Sequence, residues 1–383
     1  MAGSSFGTRF RLTSFGESHG PLMGVVLDGV PSGWSLDLDQ IQAQLDRRRP
    51  GQSSLTTARN EEDRVQCWSG LLNGVCTGAP LTLTVRNQDA RPADYQELSQ
   101  TLRPSHADFT TMARYGIRDA RGGGRSSARE TVARVMAGAV AAQILEQVGI
   151  QCYAWVQSVG GIQMDAGTWA HQAQCPYSRD QIEASSVRCP LPELSAAMED
   201  EISQTRDRGD SVGGSVLGWC QGLPAGLGDP VYDKLEADLA KAMMSINAAR
   251  YFELGSGWLA SGGYASVYND PILAADTQSW TRIQTATNHA GGVLGGMSNG
   301  NPLWFRVGFK PPSTVALEQQ SVDQHGHPQV LQAKGRHDPC VVPRAVPVVE
   351  AMLAVVVLDH WLAFPSAQLD RIKSLSVKSV PNS

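Results

Sequence analysis

The chain has little lysine, few aromatics and little charge of either sign. Only six of its 383 residues are Lys, none before Lys234, against 26 Arg. Charged residues make up 18% and the formal net charge is −5, which excludes a general nucleic-acid binder, because such a protein presents a basic footprint. No aromatic residue stands near the Arg47–Arg49 run, so a stacking platform for single strands is excluded as well. The seven cysteines form no CxxC pair and are odd in number, which fits a reducing, cytoplasmic setting. The longest apolar stretch, Ala351 to Leu358, is far short of the ~20 residues of a membrane span, and the N-terminus lacks the apolar segment of a signal peptide. Neither HExxH nor a comparable His/Cys spacing occurs, so no metal site is supported. Without repeats, low-complexity tracts or a long linker, the expectation is one large domain over residues 1–383.

Hydrophobic residues at 42% are enough for a large core. Short strand-like runs at Gly24 to Leu27, Leu81 to Val85, Ser215 to Cys220 and Leu303 to Val307 alternate with helical spacing at Leu38 to Arg48, Ser127 to Val148, Val231 to Met244 and Ala345 to Leu362. The order is not a regular βαβ repeat, so the class is α+β. The polar stretch from Met164 to Leu194 reads as a surface excursion.

The most informative segment is Gly122-Gly123-Gly124-Arg125-Ser126-Ser127-Ala128-Arg129-Glu130-Thr131. Ser127 followed by Glu130 predicts a capping box at a helix start, with free N–H groups, the positive dipole end, Arg125 and Arg129 converging on an anion. An ordinary glycine-rich lead into a core helix is the alternative. His19 in the turn Gly16-Glu17-Ser18-His19-Gly20, and His106 beside Asp108, are candidates for proton transfer or for structural turns. The arginines of Asp46-Arg47-Arg48-Arg49 point in different directions from a helix, so one or two could face a pocket. The segment His289 to Gly300 is too glycine-rich for regular structure and lacks the spacing of a Rossmann site. Lys310-Pro311-Pro312-Ser313-Thr314 offers a cation and two hydroxyls on a stiff turn, and Gly335-Arg336-His337-Asp338 places a guanidinium, an imidazole and a carboxylate together. These features point to an enzyme for a small, multiply anionic substrate without naming the reaction.

Taken together, GESHGPLMGVVLDGVP (16–31), RPSHADFT (103–110), GGGRSSARET (122–131), MSINAARYFELGSGW (243–258), HAGGVLGGMSNG (289–300) and GRHDPCVVPRAVPVVEAML (335–353) strongly resemble the chorismate synthase family, in order from about residue 6 to 362. The resemblance implies a single-domain fold with helical layers around antiparallel β-sheets, a homotetramer, and a C-terminal tail from about residue 363 that is flexible. It implies conversion of 5-enolpyruvylshikimate 3-phosphate to chorismate and phosphate by 1,4-anti-elimination, with reduced FMN required although no net oxidation occurs; a catalytically inactive flavin- or anion-binding module is the alternative. His19 matches the family histidine that protonates the departing phosphate, His106 the one placed to protonate the reduced flavin, and Asp338 the aspartate that works with the flavin N5 in removing the carbon-6 proton. Ser18, Arg48, Arg129 and Arg336 match substrate contacts. Arg48, Arg125, Ser126, Ser127, Asn247, Ala248, Gly295, Lys310, Pro311, Pro312, Ser313, Thr314 and Arg336 match flavin contacts. Two departures stand out. The family commonly has an arginine where Ser54 stands, a position associated with reduced nicotinamide (NADP), and Lys-Gly where Arg250-Tyr251 stands, so the backbone there should differ if glycine's positive φ is needed. No reductase domain is visible, so an external flavin reductase or other source of reduced FMN is expected.

Overall fold

The computed structural model describes residues 3–49, 51, 62–88, 101–119, 123–165, 172–273, 283–332 and 338–373. Gly122, Ser54, Arg336 and His337 lie outside the described residues, as does the tail from 374. Two five-stranded antiparallel sheets carry the architecture. The first comprises β1 (Ser5–Phe6), β2 (Arg11–Gly16), β3 (Leu22–Asp28), β4 (Val65–Ser69) and β5 (Leu81–Arg86), in the order β1-β2-β3-β5-β4. The second comprises β6 (Gln151–Val159), β7 (Ile162–Gln163), β8 (Gly214–Gln221), β9 (Ala249–Leu254) and, after the hairpin β10 (Val293–Leu294) and β11 (Met297–Ser298), β12 (Leu303–Phe309), in the order β9-β12-β8-β6-β7.

The principal helices are α1 (Leu38–Arg48), α2 (Asp108–Tyr115), α3 (Thr131–Gln147), α4 (Arg179–Glu183), α5 (Pro192–Asp207), α6 (Leu235–Met244) and α7 (Val342–Ala363). The expected α+β class and antiparallel sheets are found. The layering is more specific: α3 packs on β2, β3 and β5, α7 packs on β6 and β8, and the two helices pack on each other, so this helical layer lies between the sheets rather than around them. Their sequences explain it. In α3, TVARVMAGAVAAQILEQ is small and apolar on nearly every side, and a Cβ added to Gly138 would stand 2.3 Å from the Ala351 Cα of α7, so the backbones meet where any side chain would hold them apart.

Helix α7 is long and apolar enough to cross a membrane, more than the run Ala351 to Leu358 suggests, but 83% of its apolar window is buried inside the molecule, as a core helix requires. Its Glu350 is buried between Arg47 of α1 and Arg179 of α4, and Glu183 pairs with Arg47 and Arg188, so the ion pairs tie three helices together. The segment expected to be a surface excursion is partly core. Ile182, Val187, Arg188 and Cys189 are buried, and the Tyr177 ring meets Trp155 of β6 edge-on at 5.4 Å. Of the tail, Phe364–Ala367 forms a 3-10 turn and Leu369–Lys373 a short helix. All seven cysteines are free thiols.

Candidate active site

The glycine turn before α3 differs from the expected open helix mouth. Gly123 and Gly124 adopt φ of 89° and 53°, and two 3-10 turns follow. Their tight bonding uses the donors that an anion would need: Ser126 N–H donates to the Gly123 carbonyl at 2.9 Å, Ser127 N–H to Gly124 at 3.3 Å and Glu130 N–H to Ser127 at 3.0 Å. Ser127 Oγ accepts from the Arg129 N–H, but the reciprocal half of the capping box is absent because Glu130 turns to Arg134, one helical turn on, at 2.8 Å. Arg125 directs its guanidinium at β2, donating to the Gly16 carbonyl at 3.1 Å and to Ser14 Oγ at 2.6 Å, so it anchors the start of the His19 loop.

Above this turn opens a cleft of about 770 Å³ whose walls come from four distant places in the chain. They are Ser105 and His106 ahead of α2, Ser126 and Ser127, Asn247 and Ala248 ahead of β9, and Lys310 to Thr314 after β12, with Arg103 and Arg250 also lining it. Side-chain bonds lace the walls: Asn247 Nδ2 donates to the Ser126 carbonyl at 3.0 Å, Lys310 Nζ to the Ser105 carbonyl at 2.9 Å, and Ser313 Oγ to the same oxygen at 3.0 Å. Ser105 and Ala248 hold left-handed φ of 56° and 66°, conformations that a fold maintains only where the surroundings fix them. His106 rests over Gly123, with Cε1 3.3 Å from where a Cβ would stand, and its Nδ1 lies 3.4 Å from Asp108 Oδ1. Burial works to raise the Asp108 carboxyl, but bonds from Arg103 and His106 outweigh it and hold it far below the usual range; Arg118 adds a further pair at 3.1 Å. Burial, assisted by Arg250, lowers the Lys310 ammonium.

A second, smaller cavity of about 100 Å³ shares Ala128, Asn247 and Ala248 with the cleft, and Arg48, Asp338 and Arg344 line it. Asp338 pairs with Arg344, in the first turn of α7. Arg48 and Arg129 meet on one carboxylate: Arg48 Nη2 lies 2.8 Å from Asp63 Oδ2 and Arg129 Nη1 lies 2.5 Å from Asp63 Oδ1. Burial pushes the Arg48 guanidinium down to about 10; Asp63 opposes this, while Arg129 and Arg344 reinforce it. At Asp63, burial acts upward but the two guanidinium groups win, so the carboxyl sits below its ordinary value.

His19 is buried in the loop between β2 and β3, where its Nδ1 and Ser18 Oγ share a hydrogen bond of 3.0 Å. Among the described residues it lines neither cavity, and Ser18, expected at the substrate, is turned to the imidazole. Asn87, at the end of β5, links this loop to Arg129.

The sequence profile of the chorismate synthase family matches residues 10–362. This chain belongs to the chorismate synthase family. It is 52% identical to the chorismate synthase of Opitutus terrae over 97% of this chain and 99% of that one. To the chorismate synthase of Bacteroides thetaiotaomicron it is 48% identical over 96% and 99%. A solved structure, the crystal structure of a chorismate synthase, superposes with a TM-score of 0.76 at 28% identity over 96% of both chains. As a chorismate synthase the chain is a lyase of the shikimate pathway.

Of the two departures from the family pattern, Ser54 lies outside the described residues and Arg250-Tyr251 has a local outcome. Tyr251 is an ordinary strand residue, and the positive φ falls on Ala248 instead. The register of β9 against β12 shifts between Ala249 and Tyr251, and the Tyr251 ring covers Gly308, where a Cβ would stand 1.9 Å from Cε1. Gly295 and Gly296, with φ of 62° and 92°, form the turn of the β10–β11 hairpin, so the segment 289–300 does contain regular structure. That turn does not bring Gly295 to the cleft. Sequence reasoning missed Asp63, Asn87 and Arg344. Arg344 had a faint signal, a cation just inside a buried helix six residues after Asp338; the other two carried none.

Proposed function

We propose that this chorismate synthase binds reduced FMN in the 770 Å³ cleft and 5-enolpyruvylshikimate 3-phosphate in the adjoining arginine-lined cavity, releasing phosphate to give chorismate. The observation that carries the reading is the shared wall of Ala128, Asn247 and Ala248, which sets the two cavities against each other. The cleft suits a flavin: its size falls in the ~300–1,000 Å³ range of cofactor sites, and Asn247 Oδ1 is buried there with no hydrogen-bond partner among the described residues. Ser126, Ser127, Asn247, Ala248 and the Lys310 to Thr314 turn would hold it. When bound, reduced FMN supplies transient electron density for breaking the carbon–oxygen bond, which is why no net oxidation results.

The protein's own groups then divide the remaining work. Arg48 and Arg129, joined by Arg336 and Ser18, hold a substrate carrying one phosphate and two carboxylates. Asp338, paired with the neighbouring Arg344, works with the flavin in removing the carbon-6 proton. His19, which lines neither cavity but whose loop Asn87 joins to Arg129, is assigned delivery of a proton to the departing phosphate on the family match. His106, oriented over Gly123 by Asp108, stands at the cleft wall as the group placed to protonate the flavin. The reduced flavin comes from an external reductase and the enzyme works in the cytoplasm, in keeping with seven free thiols. Four copies assemble, a reading supported by the exposed apolar side chains of Trp258, Tyr264, Val267 and Ile272.

The test is an anaerobic assay with the substrate and chemically reduced FMN, following chorismate. Turnover is expected. Tight binding of both molecules without product would identify a binding module instead.

A further inference from the structure

Asp63 does more than neutralise charge. Its carboxylate is fully buried, and the side chains of Arg48 and Arg129 are 3% and 8% exposed, so water does little to screen the two like charges. Each carboxylate oxygen takes one guanidinium, and Asn87 Oδ1 holds the Nε edge of Arg129 at 2.9 Å. The backbone is shaped for this. Asp63 sits at φ 48°, a left-handed conformation uncommon for residues with a side chain, and Gln42 of α1 clips it in place, donating to the Asp63 carbonyl at 3.2 Å and accepting from the Val65 N–H at 3.0 Å.

We propose that Asp63 is a positioning residue of the substrate site, fixing the separation and orientation of Arg48 and Arg129 so that an anion with several charged groups bridges both while a small anion gains nothing from the arrangement. The inference rests on the reading of the substrate site above. It distinguishes geometry from charge. Removing a negative charge beside two arginines should by itself tighten every anion, whereas losing the alignment weakens the large substrate selectively.

The experiment measures the dissociation constants of 5-enolpyruvylshikimate 3-phosphate and of inorganic phosphate by calorimetry, with oxidised FMN present, for the parent and Asp63→Asn. Asn preserves shape but presents one N–H₂ where an acceptor stood, so one arginine is released. The substrate constant should rise at least tenfold while that of phosphate stays level or falls. Gln42→Ala, which keeps all three charges but frees the clip, should reduce the ratio of the two constants severalfold in the same direction, and it keeps the test open if Asp63→Asn fails to fold. Tightening of both anions, proportionate weakening of both, or unchanged constants would overturn the positioning role. If the parent itself does not prefer the substrate over phosphate, the proposed substrate is what fails, whatever the variants do.

Discussion

Asn87 ties the loop of His19 to Arg129: its amide nitrogen donates to the carbonyls of Glu17 at 3.0 Å and Gly20 at 2.8 Å, and its carbonyl oxygen accepts from Arg129 Nε at 2.9 Å. One side chain thus sets both the proposed proton donor and a proposed substrate clamp. Asn87→Asp keeps the acceptor for Arg129 but loses both donors to the loop. Substrate affinity should therefore hold while turnover falls about tenfold or more; Asn87→Ala should impair both, since a hydrogen bond to a charged group contributes ~1.5–3 kcal/mol. Equal losses of affinity in the two variants would contradict the separation of roles.

For His106, truncation to Ala should lower turnover by ~10²–10⁴-fold, the span of a positioned acid or base, with flavin binding retained. The imidazole packs over Gly123 at one edge of a cleft with many other contacts, so its removal should leave the cofactor's grip largely intact. Flavin fluorescence titration and steady-state rates on one preparation check both halves, and parental turnover at saturating substrate would remove His106 from the mechanism.

Asp338 has a sharper test. Asn would preserve shape and some contact with Arg344 but could not accept a proton. Asp338→Asn should bind substrate and reduced flavin with constants near the parent's and lose most single-turnover chorismate formation. If Asp338 only steadies Arg344, affinity will fall instead and the chemical step will survive, an outcome that measuring binding and single-turnover rate together detects.

Acid should destabilise the protein partly through Asp108. Its folded carboxyl lies well below the unfolded value of ~3.9, so the stabilisation is complete above that value and is lost as pH falls through it toward the folded one. Asp108→Asn should cost about 3–5 kcal/mol at neutral pH, the effect of removing the buried carboxylate that Arg103 and Arg118 share, and should flatten the fall in Tm below about pH 4. An unchanged acid slope would assign that sensitivity to other carboxylates.

Local signals were readable wherever neighbouring residues decide the structure. Helix α1 occupies Leu38–Arg48 as its spacing predicts, because Asp37 accepts from the N–H groups of Asp39 and Gln40 at the start and Arg49, at ψ 153°, leaves the helical conformation at the end. Helix α3 begins later than the Ser127–Glu130 pair suggests, since Glu130 finds a better partner in Arg134. Helix α6 begins at Leu235 rather than Val231, the chain bending over residues 231–233 before it. The cleft residues Ser126, Ser127, Asn247, Ala248 and Lys310 to Thr314 were legible through family motifs, and the fold gathers them. Asp63 was not legible: its partners stand 15 and 66 positions away, and only the packing of α1, the 62–64 segment and the turn ahead of α3 brings the three together.

The Gly138–Ala351 contact reaches further than packing. Both α3 and α7 run away from the smaller cavity, and the contact lies seven residues from Thr131 in one helix and seven from Arg344 in the other, both of which line it. At ~1.5 Å per residue that is about 10 Å along each axis, so this close contact fixes both helices about two turns from the cavity. Their positive ends face it together. Backbone direction therefore adds to the side chains of the proposed anion site, and that contribution should outlast the loss of any single arginine.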